Sequence, residues 1–91
     1  MIDHTKVQPR LVAKFMRLAR DSEQNILPVI IPEQIVAALL TNTLDRLPTE
    51  FSSPIAAMKR LHEEGEEWLH STLAVHRMGW RSDATYHAER L

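Results

Sequence analysis

Five prolines set the length of every regular element this chain can form. Inside a helix, proline removes a hydrogen bond and clashes with the preceding turn, at a cost of about 3 kcal/mol. Pro9, Pro28, Pro32, Pro48 and Pro54 therefore leave three stretches long enough for helices. Pro9 and Pro54 suit first helical positions, where no backbone N–H is needed. Leu27 and Ile31 each precede a proline and are pushed toward extended backbone. Val29, Ile30 and Ile31 are β-branched and favour the same region.

These constraints predict a helix over 9–24, an extended apolar connector "NILPVII" over 25–31, and a second helix over 32–47 that Pro48 ends. Ser53 is the expected N-cap of a third helix over 53–78, which Gly79 terminates. Ser82 and Asp83 could cap a short fourth helix over 82–90. The expected fold class is all-α: three to four helices in a small bundle, with one domain spanning residues 1–91.

Periodicity assigns faces to these helices. In the first, Leu11, Val12, Phe15, Met16 and Ala19 recur every three or four residues and form the apolar side. Lys6, Arg10, Lys14 and Arg17 recur on the opposite side and form a basic face. In the second, Ile35, Val36, Leu39, Leu40, Thr43, Leu44 and Leu47 share one half. In the third, Ile55, Met58, Leu61, Gly65, Trp68, Leu69, Thr72, Leu73, Val75 and His76 fall in one arc of roughly 160°. So wide an arc needs several neighbours to cover it.

Composition narrows the function. Apolar residues make up 44% of the chain and charged residues 25%, and the net charge is −1. That balance offers no global field to nucleic acid or anionic lipid. Without cysteine there is no disulfide, thiolate metal site or thiol nucleophile. The opening "MIDHTKVQPR" lacks the apolar segment of an export signal. The most apolar run, 26–40, is too short and too interrupted to span a bilayer. A cytoplasmic protein with no membrane partner is expected. Two glycines cannot build a phosphate-cradling loop, and no local motif supports a Ser–His–Asp arrangement. No enzymatic activity and no cofactor are expected.

One stretch is dense in chemistry: "HEEGEEWLH", residues 62–70. Glu67 and His70 form Glu-x-x-His, the helical motif of di-iron carboxylate bundles. With Glu63 they are the metal ligands to test, and a second copy across a dimer would have to complete the site. On the helix, however, Glu63, Glu64, Glu67 and His70 lie outside the apolar arc. They read as a solvated face, with Lys59 and Arg60 at i,i+4 spacing from Glu63 and Glu64. His62 and Glu66 fall at the margin. No resident metal is expected.

Three functions compete. The first is a small protein–protein interaction or regulatory module (adaptor, inhibitor or anti-activator) that acts as a homodimer. Its expected contact residues are Trp80, Trp68, His76, Val29 and Ile30. Tryptophan is enriched at binding hot spots, and Trp80, after Gly79, is the stronger interface candidate. Trp68 and His76 lie in the apolar arc and also read as core residues. A histidine buried in an interface would make association sensitive to pH. The connector residues Val29 and Ile30 either pack across their own helices or meet another chain.

The second function is a DNA-binding dimer. "VIIPEQIVAALLTNTLDRLPTEFSSPIAAMKRL", 29–61, reads as strand, helix, turn, helix. That order resembles the ribbon-helix-helix repressors, which implies paired strands inserted in the major groove. The sequence departs from the pattern because the strand lacks polar residues to read base edges, and Pro28 removes a ladder donor. A helix-turn-helix reading would place four glutamates on the recognition helix, where phosphates repel them. The third function is a helical metalloprotein built on Glu-x-x-His.

Overall fold

The computed structural model of the chain describes residues 3–80. It is all-α, with no strand among the described residues. A 3-10 turn, His4–Lys6, leads into helix α1, Pro9–Glu23. Helix α2 spans Ile31–Thr41. Two more 3-10 turns, Leu44–Arg46 and Thr49–Phe51, connect it to α3, Pro54–Glu64. Helix α4, Glu66–Met78, follows after one residue. The expected helix over 82–90 lies outside the described residues.

The local signals act where the sequence places them. Pro9 and Pro54 occupy first turns, and Ser53 Oγ accepts the Ala56 N–H at 3.1 Å. Helix α1 ends in a turn in which Asn25 takes the left-handed conformation, φ 64°. Its buried side chains are Val12, Phe15, Met16, Ala19 and Ser22, the face that periodicity predicts.

Two expected helices are shorter than predicted. The second stops at Thr41 and not at Leu47, because Asn42 adopts φ 55°. Asparagine tolerates the left-handed region better than most side chains. The Thr43 N–H then bonds back to Ala38 O at 3.0 Å, which closes the helix end six residues before Pro48. The third helix breaks at Gly65, whose φ of 156° and ψ of 143° lie in a region open essentially to glycine alone. A Cβ built there would stand 3.3 Å from Glu67 Oε2. The Trp68 N–H bonds to Gly65 O at 3.0 Å, so α4 starts immediately in a new direction.

The break explains how a wide apolar arc is covered. Helices α3 and α4 pack against each other, α1 lies against α2 and α4, and α2 also contacts α3. Phe15, Met16, Ile35, Val36, Leu61 and Val75 meet at the centre and are almost wholly excluded from water. Trp80, expected as an interface anchor, belongs to this core. It is 5% exposed, and its indole N–H donates to Leu40 O at 2.9 Å. A buried indole needs a partner for that N–H, and the open carbonyl end of α2 supplies it.

Candidate interaction surface

The connector between α1 and α2 points outward. Ile26, Leu27, Val29, Ile30 and Ile31 are 58%, 53%, 87%, 51% and 36% exposed. Of the two readings open to this segment, packing across its own helices does not hold. Its extended character is retained at Ile30, φ −85° and ψ 147°, which caps α2. Ile31 is the first residue of α2, one position earlier than predicted. Isolated exposed aliphatics are ordinary on a protein surface, but five within six residues are not.

Polar groups hold this apolar segment in place. The Gln34 side-chain amide donates to Val29 O at 2.9 Å and to Pro28 O at 3.3 Å. The Arg46 guanidinium donates to Ser22 O at 2.9 Å, Ser22 Oγ at 3.1 Å and Asn25 Oδ1 at 2.9 Å. The Ile26 N–H reaches back to Asp21 O at 2.9 Å. The loop is thus clamped from α2 on one side and from the 3-10 turn Leu44–Arg46 on the other. Sequence reasoning missed Arg46 and Gln34. Arg46 is more than twenty residues from its acceptors, so no periodicity signals the contact. Only Asn25, a residue suited to a helix-ending turn, marked the place.

A second apolar surface lies between α3 and α4. Ile55 and Met58 are 75% and 39% exposed. With Leu69 they floor a groove of about 370 Å³ rimmed by Lys59, His62 and Glu63. Met58 and Leu69 also line an adjoining hollow of about 160 Å³, together with Leu39, Leu73 and His76. His76 is exposed, which corrects its expected place in the core. The arc assigned to one helix is folded at Gly65, so its outer residues face this groove and not the centre.

The charged side chains largely meet within the chain. Lys6 pairs with Glu66, and Lys14 pairs with Glu33 at 2.7 Å. Lys14 Nζ also sits 5.6 Å from the centroid of the Trp68 ring. Of the expected basic face, Arg10 and Arg17 are exposed and form no ion pair among the described residues. Lys6 holds Glu66 below the ordinary carboxylate range by hydrogen bonding and charge, and Glu66 raises Lys6 in turn. Asp3 is also lowered, chiefly by its hydrogen bonds from the Thr5 hydroxyl and N–H.

The candidate ligand stretch is divided by the break: Glu63 is on α3, whereas Glu67 and His70 are on α4. His70 Nδ1 accepts the Asp3 N–H at 3.0 Å. Among the described residues, no three His, Asp or Glu side chains come together as a metal site. Trp68 is half-buried against Phe15, with ring centroids 5.1 Å apart, and so joins the margin of the core. The strand that the ribbon-helix-helix resemblance requires is also missing among the described residues. No described helix is long and apolar enough to cross a membrane. Compared with protein-family models, curated proteins and solved structures, the chain finds no match.

Proposed function

We propose that the chain is a small, non-enzymatic protein–protein interaction module of the adaptor, inhibitor or anti-activator type, acting in the cytoplasm as a homodimer. The observation that carries this reading is the clamped aliphatic loop, 26–31. Its side chains face water while Gln34 holds its backbone and Arg46 anchors Ser22 and Asn25, from which it leaves α1. A surface ordered before binding loses less conformational entropy when it docks, so more of its apolar burial appears as affinity. Among the described residues no Asp or Glu is buried, so none stands in a dry pocket of the kind that tunes a general acid. A chain without cysteine also needs no oxidising compartment.

Size-exclusion chromatography with light scattering tests the reading. At concentrations of tens of micromolar the expected mass is twice the 10.5 kDa of one chain. A mass of one chain overturns the homodimer. A mobility-shift titration against duplex DNA at increasing salt addresses the DNA-binding alternative. Tight binding that weakens steeply with salt would replace the present reading with that one.

A further inference from the structure

We infer that two copies of this chain pair through their 26–31 loops about a two-fold axis. The inference rests on the homodimer reading above and names its contact surface. Three observations favour a second copy as the occupant of the loop.

The first is charge. In a two-fold contact the same patch lies on both sides and side chains near the axis meet their own copies, so a charge there meets like charge. Residues 24–32, QNILPVIIP, contain no charged side chain. The groove between α3 and α4, in contrast, is rimmed by Lys59, His62 and Glu63. Of the two apolar surfaces, the loop is the one that can face itself with no charged side chain to be matched or desolvated. A net charge of −1 adds little repulsion between whole chains.

The second is area. Five adjacent aliphatic side chains place the loop in the class of ~300–600 Å² patches that mark interaction sites. Two such patches against each other bury about 600–1,200 Å² in all, apolar on both sides, which reaches at most the ~1,200 Å² lower end of stable interfaces. The dimer should therefore be reversible, with dissociation in the micromolar range.

The third is order. The hydrogen bonds from Gln34 to Pro28 O and Val29 O hold the loop backbone, and the bond from Arg46 to Asn25 Oδ1 anchors the turn before it, while its side chains stay exposed. An aliphatic loop with no role outside its own chain would gain more by folding inward, where its side chains would leave water.

Sedimentation equilibrium on the full chain and two variants tests the proposal. Val29→Asp puts a charge at the most exposed side chain of the loop and leaves the core untouched. It should weaken the dimer by about tenfold or more, since a charge then enters an apolar contact. Far-UV circular dichroism and the melting curve at low concentration should be unchanged. Ile55→Asp in the α3–α4 groove should leave the dimer intact. Ile26→Lys repeats the loop test at an independent position. A dimer that survives both loop variants overturns the loop contact but leaves the homodimer standing. Loss of the dimer in Ile55→Asp likewise overturns the assignment and moves the contact to the groove. A wild-type chain that is monomeric overturns both the inference and the homodimer.

Discussion

The connector over 24–32 and the stretch over 62–70 reverse the ordinary relation between residue type and environment. The first has no charge, and its aliphatic side chains stand in water. The second carries four carboxylates and two imidazoles, yet much of it is tied into the fold. Glu66 binds Lys6, Glu64 binds Arg60 at 3.2 Å, and His70 accepts the Asp3 N–H. What separates the two regions is the partner each finds. Lys6 and the Asp3 N–H reach the acidic stretch from the N-terminal turn, while the connector is gripped by its backbone and by Asn25. Burial follows from which element arrives over a segment, and hydrophobicity alone does not decide it.

The comparison breaks most visibly if the grip on the connector is removed. Arg46→Ala removes the donor to the buried Ser22 Oγ and to Asn25 Oδ1, and leaves Ser22 O with the Asn25 N–H alone. Hydrogen bonds from a charged donor, with the buried Ser22 Oγ stranded by its loss, put the cost at about 2–3 kcal/mol. Urea denaturation should show that loss, and amide exchange at Asn25 and Ile26 should accelerate. Arg46→Lys should recover only part of it, because an ammonium cannot reproduce the planar fork that spans both acceptors. A loss under about 0.5 kcal/mol, the range of an ordinary surface substitution, would mean the clamp is incidental.

The legible parts of the fold are those with local causes. Pro9, Ser53 and Pro54 start their helices as predicted, and the Val12–Phe15–Met16–Ala19 face is buried as its spacing requires. The all-α class follows from the same signals. The breaks at Asn42 and Gly65 were harder to read, because both residues are tolerated inside helices at modest cost. Their conformations are decided by packing between distant segments. The error at Gly65 propagated to the candidate site. Reading α3 and α4 as one helix puts His76 in the buried arc and Trp80 beyond the core. The exposure of Val29 and Ile30 was visible only as an open choice, since the absence of a covering element cannot be read from the residues left uncovered.

Gly65 provides a second, smaller break, this time in the charged region. Gly65→Ala forces a Cβ into a backbone conformation that L-residues avoid, 3.3 Å from Glu67 Oε2. Strain of this kind costs about 1–3 kcal/mol. The melting temperature should fall, and the Lys6–Glu66 pair beside the break should loosen. A rise in stability, with a gain in helical dichroism, would show that α3 and α4 prefer to join. The acidic stretch would then be the single solvated helix face that its periodicity suggests.

The weakest effect comes from the ion pair itself, and its sign is fixed by the direction of each shift. Glu66 is held below its ordinary 4.5 by Lys6, so the pair's contribution is present above that value and is lost as pH falls through the folded-state value. Asp3, lowered from 3.8 by its bonds from Thr5, adds a loss of the same sign at more acid pH. Lys6, raised from 10.5, contributes below that value and gives up its share only in strong alkali. Urea midpoints at about pH 6 and about pH 3 should therefore differ more in the wild type than in Glu66→Gln, which has no carboxylate to protonate. Both partners are substantially exposed, so the difference should be small and should shrink further in high salt. If Glu66→Gln loses as much stability on acidification as the wild type, the contact does not hold the N-terminal turn on α4. That task would then fall to the neutral bonds, from the Asp3 N–H to His70 Nδ1 and from the Gln8 N–H to Ser71 Oγ at 3.0 Å.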